Sequence, residues 1–364
     1  MLIQKFTTLF KDVTRQGTKI PKEEYLTHGK NIIIDQGQDI IAGYTNCEDG
    51  IFKKIPAIVF GDHTRIIKYV DTPFFLGADG VKVLKCTDKN ANYRYLYYAL
   101  KNAHIPNTGY NRHFKWLKEI TINYPDKNKQ NDIVNILDKL EYIIKIRSQE
   151  LDKFDELIKA RFVEMFGDPI NNSKNWKLIN IKKCCVDILG GGTPSKSHPE
   201  FFTGSVPWVT PKDMKENVIT DSKDHITYEA ISNSSAKLIP SNSVLMVIRS
   251  GILKHTLPVA INKNEVTINQ DMKAFVPTSE ISPIFLENYF IAISPDILSK
   301  VRSVTADNIN FKSFQKRKII LPPISLQNEF ANFVQQVDKS KVAVQKSLDE
   351  TQTLFDSLMQ KYFR

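Results

Sequence analysis

No run of 18 apolar residues occurs in the 364-residue chain, so no segment reads as a membrane-spanning helix. The opening stretch, Met1 to Lys11, lacks the continuous apolar core and small-residue cleavage site of a secretory signal. Cysteine is scarce. Cys47, Cys86, Cys184 and Cys185 form no C-x-x-C pair, and adjacent cysteines seldom bridge each other. These absences imply a reduced, cytoplasmic, soluble protein with no membrane partner. The seven histidines (28, 63, 104, 113, 198, 225 and 255) show no H-x3–5-H spacing and no cysteine neighbours, which argues against a metal site.

Hydrophobic residues make up 41% and charged residues 25%, enough apolar material for two ordinary cores. The net charge of +10 favours a polyanionic partner, and its distribution sharpens the point. Residues 1–125 hold 18 Lys+Arg against 12 Asp+Glu, and residues 169–322 hold 19 against 13. Residues 126–168 have 8 against 10, and residues 323–364 have 5 against 5. Two equally cationic bodies joined by near-neutral segments suit two-point binding to a phosphate backbone.

An internal repeat orders the chain. A shift of 197 residues places Phe114-Lys115 on Phe311-Lys312, Pro125 on Pro322, Gln130-Asn131 on Gln327-Asn328 and Phe166 on Phe363. In each copy a short apolar strand ends in proline, and a long helical segment follows. Spacings of four and three define a seam in each segment. The first runs Ile133, Leu137, Leu140, Ile144, Arg147, Leu151, Phe154, Ile158, Arg161, Met165. The second runs Phe330, Val334, Val337, Lys341, Val344, Leu348, Thr351, Phe355, Leu358, Tyr362. Eight of ten positions are apolar in each, so two helices of about 57 Å are expected to bury one stripe on the other.

The expected fold is therefore α+β. Two β-rich domains, 1–125 and 169–322, alternate with long helices at 126–168 and 323–364. The helices pair as an antiparallel coiled coil, in a pseudo-two-fold internal repeat. Strands are expected at Ala57–Phe60, Ile66–Val70, Val81–Leu84, Val206–Val209, Val244–Ile248 and Lys273–Val276, with short helices at Tyr93–Asn102 and Ile284–Ile293.

Candidate site residues lie in loops. Gly190-Gly191-Gly192-Thr193-Pro194-Ser195-Lys196 lacks the glycine directly before Lys-Ser that a phosphate loop requires, and Pro194 removes a donor. A glycine-rich turn offering Thr193, Ser195 and Lys196 to DNA fits better, with Lys19 in the counterpart Gln16-Gly17-Thr18-Lys19. In Phe60-Gly61-Asp62-His63-Thr64-Arg65, Asp62 and His63 are adjacent and point apart, so they make a poor catalytic pair. Arg65 has the fork that pairs with guanine, and His63 or Thr64 suits phosphate or base edges. The same residues also fit an ordinary surface turn. Lys212 and Arg249 are analogous candidates beside Trp208, as are Arg112, Asn310 and Lys312 at corresponding places in the repeat. No N-P-P-[FY] loop, glycine-rich S-adenosylmethionine motif, helicase ATP site or P-D…[DE]-x-K nuclease pattern is present.

The run Asn175-Trp176-Lys177-Leu178, Gly191-Gly192-Thr193-Pro194-Ser195, Val206-Pro207-Trp208-Val209 and Lys212-Asp213 resembles a target-recognition domain of type I restriction-modification specificity subunits. So do Pro322-Pro323-Ile324-Ser325-Leu326-Gln327, Phe166-Gly167-Asp168-Pro169, and Phe60 to Arg65 followed by Ala78-Asp79-Gly80-Val81-Lys82. The first globule departs from the pattern: it has 125 residues before its helix against 154 in the second, and it lacks the Gly-Gly-Thr-Pro form. The resemblance implies a non-catalytic reader of a bipartite double-stranded DNA target. It implies two methyltransferase subunits that bring S-adenosylmethionine and methylate adenine N6, with restriction/translocase subunits joining them. No cofactor is expected on this chain. Two other readings remain open, a coiled-coil adaptor between proteins and the specificity part of another multisubunit DNA methyltransferase.

Overall fold

Continuous apolar runs, Ala57 to Phe60 and Val244 to Val247, put apolar side chains on both faces of the central strands, and both faces are covered. The computed structural model describes residues 2–77, 79–303 and 307–363. It divides into two compact units, Met1–Gln149 with Gln345–Arg364, and Glu150–Val344. Each unit thus combines one globule with part of both long helices.

In the first unit an antiparallel sheet runs in the order Phe10–Asp12, Val81–Cys86, Ala57–Gly61, Ile67–Val70. The central strand Ala57–Gly61 is buried throughout. Ala57 and Val59 face a cluster with Ile34, Phe74 and Leu76, while Ile58 and Phe60 face one with Tyr95, Leu96 and Leu137. That is the two-residue period of a strand covered on both sides. A second sheet orders Gly43–Thr45, Asn31–Ile34, Phe74–Leu76, its first pair antiparallel and its second parallel.

The second unit repeats this wiring. Its larger sheet runs Cys185–Gly190, Met272–Pro277, Val244–Val247, Val259–Asn262, with an added edge strand Val218–Ile219. Its smaller sheet runs His225–Ile226, Val206–Val209, Thr267–Ile268, again one antiparallel and one parallel pairing. Two-stranded pairs, Ile3–Lys5 with Thr121–Asn123 and Lys177–Asn180 with Lys318–Leu321, close the two globules beside the long helices. The strands and short helices expected from the sequence all form, with ends shifted by at most two residues.

The long helices are Lys127–Phe166 and Ile324–Phe363, 40 residues each. Every seam residue named above is buried or half-buried, whereas Lys145, Ile146, Ser148, Gln149, Glu150, Asp152 and Lys153 between them are exposed. Pairing is antiparallel. In the second unit Lys341 ion-pairs with Asp155, and Arg161 lies 3.2 Å from Glu329. In the first unit Ile133 and Leu137 share a cluster with Phe355 and Met359, and Arg147 donates to the Ser347 carbonyl at 2.6 Å and to the Thr351 hydroxyl. The polar residues that interrupt the two stripes at 147 and 351 therefore meet each other. Phe162, Phe166, Phe285 and Phe330 form a ring cluster in the second unit, with centroids 4.9 to 5.8 Å apart. Gly167, at φ +76°, ends the first helix where a Cβ would stand 2.3 Å from Ser173 Oγ.

A matched pair of buried glutamines joins globule to helix. Gln130 Nε2 donates to the Pro125 carbonyl at 2.8 Å, and its oxygen accepts from Asn92 N–H at 3.0 Å. Gln327 Nε2 donates to the Pro322 carbonyl at 2.9 Å, and its oxygen accepts from Ser282 N–H at 2.9 Å. Asn92 and Ser282 each precede the short helix of their globule, Tyr93–Lys101 and Pro283–Ala292. The same side chain thus staples the same two elements in both copies.

Candidate nucleic-acid interface

In the first unit the turn after Ala57–Gly61 is built around Gln36. Its side-chain oxygen accepts from His63 N–H at 3.2 Å, its amide donates to the Asp79 carbonyl at 3.3 Å, and its own carbonyl accepts the Thr64 hydroxyl at 2.6 Å. Asp62 is buried, and its carboxylate accepts Phe114 N–H at 2.7 Å while its carbonyl accepts His113 N–H at 2.8 Å. Asp62 therefore ties the turn to His113 and Phe114, and no hydrogen bond pairs it with His63. The His63 ring stacks on Tyr110 at 4.8 Å and 9°. Tyr110 is 87% exposed. Lys19 ion-pairs with Asp79, whose carboxyl is held below its usual range first by that hydrogen bond and further by Arg112.

Lys19, His63, Thr64 and Arg112 are thus brought to one surface. Arg65 is turned partly inward. It sits at φ +63°, half-buried, with Nη1 donating to the Ile105 carbonyl at 3.2 Å, so part of its fork is engaged within the protein. Ala78 lies outside the described residues. Gln36 and Tyr110 escaped the sequence reading because loop residues carry no periodic signal. The run of aromatic, amide and cation at Tyr110-Asn111-Arg112 was the available clue.

In the second unit the glycine-rich segment is not a turn. Gly190 ends a strand, and the chain continues without regular structure to Lys196 and Ser197, where the turn occurs. A Cβ on Gly191 would lie 2.1 Å from the Ile268 and Asn269 carbonyls, and one on Gly192 would lie 2.4 Å from Ala236 N. The glycines are needed for close backbone approach rather than for a tight turn. Gly17 occupies the matching place, where a Cβ would meet Leu76 of the equivalent strand at 2.3 Å.

Thr193 donates to Gln270, and the Arg249 guanidinium bonds Asp271 at 2.6 Å, so the turn at 269–271 gathers both. Arg249 also bridges to Asn308, and Asn310 follows at once. The Asn310 side-chain oxygen caps the short helix Phe311–Phe314 through Ser313 N–H at 3.2 Å, and Lys312 on that helix is exposed. Ser195 and Lys196 are exposed, with the Ser195 hydroxyl 2.6 Å from that of Ser197. Lys212 is exposed at the mouth of a cleft. Among the described residues no group of three His, Cys, Asp or Glu fits a metal ion. No described helix is long and apolar enough to cross a membrane. All four cysteines are free.

The sequence model of the type I restriction modification DNA specificity domain matches residues 8–154 and 173–351. The chain belongs to the type I specificity subunits. The specificity subunit of the Escherichia coli EcoR124I/EcoR124II type I restriction enzyme is 33% identical over 327 residues, 84% of this chain and 79% of that protein. The MjaIX specificity subunit of Methanocaldococcus jannaschii is 31% identical over 120 residues, 32% of this chain and 27% of that protein. Among solved structures, the type I restriction-modification S subunit from M. genitalium superposes with a TM-score of 0.62 at 16% identity. That match covers 100% of this chain and 96% of that one. A second chain, solved in an account of complex assembly and conformational transition of the type I R-M system, gives 0.58 at 17% identity over 100% and 97%. These two likenesses speak to the fold. The two stretches matched by the specificity-domain model correspond to the two copies of the repeat, so this chain carries that domain twice.

Proposed function

We propose that this specificity subunit reads a DNA target in two separated halves, one with each unit, and performs no chemistry itself. The duplicated strand order carries the reading, because it gives one chain two surfaces of the same design. One offers Lys19, His63, Thr64, Tyr110 and Arg112; the other offers Thr193, Ser195, Lys196, Arg249 and Lys312. Such residues combine phosphate contacts, which position, with base-edge contacts, which specify.

Methyl transfer to adenine N6 is then the work of two methyltransferase subunits that carry S-adenosylmethionine, and cleavage that of restriction/translocase subunits, all in the cytoplasm. Large apolar side chains left exposed on the long helices support docking there. Tyr142 is 65% exposed, Val163 51% and Val342 70%, and none belongs to the seam. Methylation profiling of a genome that carries this chain with its methyltransferase tests the proposal. A two-part methylated motif is expected, and Arg112→Ala is expected to relax one half and leave the other intact. A continuous motif, or equal loss at both halves, would overturn it.

A further inference from the structure

A cleft of about 790 Å³ opens in the second unit. It is lined from both long helices, the helix Pro283–Ala292, the strands Val218–Ile219 and Val259–Asn262, and the segment 211–217. Its volume lies in the range of small-molecule sites. One part of the wall is apolar, with Ile158, Met214, Val259, Ile261, Ile284 and Val334. Glu287 breaks that wall. It is 5% exposed, and its Oε1 is buried with no hydrogen-bond partner. An unpartnered buried oxygen costs roughly 1–3 kcal/mol, and more when charged, so an occupant that satisfies it is favoured.

The charges facing Glu287 define the occupant. The second long helix brings Asp338 and Lys341 to Glu287, and the first brings Asp155 to Asp338. Lys341 is already paired with Asp155 and stands 4.0 Å from Asp338. Lys263, just past the strand Val259–Asn262, acts on both Glu287 and Asp338 but is itself exposed. Three carboxyls are therefore served by one committed lysine and one that lies in solvent. At the mouth, Lys159, Lys212, Lys215 and Glu216 are all exposed, a net positive rim that opposes a second cationic group.

We propose that this cleft binds a single-headed organic cation, a primary ammonium or guanidinium on an apolar shaft, with its charge against Glu287 and Asp338. The shaft lies along the apolar wall. The head comes either from a free small amine or from a lysine or arginine side chain of a bound subunit. The proposal does not rest on DNA reading.

Hexylamine, hexanol and hexanoate, titrated against the full chain by calorimetry, test the proposal. Burial first, and Asp338 second, push the Glu287 carboxyl up to about 8. A bound ammonium would ionise it and release a proton. Hexylamine is therefore expected to bind about tenfold tighter near pH 8.5 than near pH 6.5, while it remains protonated itself. Hexanol should show no such trend, and hexanoate should bind most weakly. Glu287→Gln should bring hexylamine down to the level of hexanol and leave hexanol unchanged, which also reports an intact cleft. Hexanol binding as tightly as hexylamine, no binding by any of the three, or an unaltered preference in Glu287→Gln would each overturn the proposal. Repeating the titration on the assembly with methyltransferase subunits separates the sources. Retained binding assigns a free amine, and loss assigns an inserted side chain.

Discussion

Glu287 is the single charged residue of Pro283–Ala292, a helix otherwise apolar on nearly every side. Its carboxyl is raised to about 8 from an ordinary value of 4.5. Between those limits the folded state holds a proton that the unfolded chain has lost, so stability falls as pH rises through the window. Glu287→Gln should therefore gain on the parent as pH is raised from 5 to 9, by roughly 3 °C or more in Tm. A melting difference that stays flat with pH would show that the carboxyl ionises freely. The signal was present in the sequence as a lone glutamate inside Ile284–Ile293, yet a pattern reader assigns such a residue to an exposed face. Gln36 and Tyr110 were hidden differently. Their roles depend on partners 27 and 47 residues away from them, at His63 in both cases, and no local pattern encodes that.

At the level of elements, the seam was the most legible feature. A 3.5-residue period kept over five heptads has few explanations other than helix pairing. The polar residues that interrupt it carry no signal of their partners in the sequence. Their partners, Arg147 with Thr351, Arg161 with Glu329 and Lys341 with Asp155, appear once the helices are laid antiparallel. Parallel pairings such as Asn31–Ile34 with Phe74–Leu76 were not legible, because the strands are separated by some 40 residues of intervening chain. Gln130 and Gln327 were visible as a repeated residue without a visible job. Removing one leaves the N–H of the residue that precedes the neighbouring short helix without its partner, and at Ser282 that N–H is buried. Gln327→Ala should destabilise the protein by roughly 2–4 kcal/mol in urea unfolding. The neighbouring Asn328→Ala, at an exposed position, should be close to neutral. Equal effects from both would show that the staple contributes nothing.

At the scale of the molecule, each 40-residue helix supplies residues to both units. Removing one heptad from the middle of both helices keeps the stripes in phase and shortens each by about 10 Å. With the helices setting the gap between half-sites, the accepted gap should contract by roughly three base pairs at 3.4 Å each, with both half-sites unchanged. Methylation profiling of the deletion variant gives the answer, and an unaltered gap would remove the measuring role from the helices. The duplication itself was legible because the 197-residue offset survives without a break from Phe114 to Phe166. The two globules agree less well in sequence than in strand order, since loops between equivalent strands differ in length.

The twin glutamine joints carry a consequence for how new targets arise. Because each recognition lobe plugs into its rod through the same socket, a lobe transplanted from one seat to the other meets hydrogen-bonding groups it already fits. Shuffling whole lobes is then a cheaper evolutionary route to a new address than rewriting the reading loops one residue at a time.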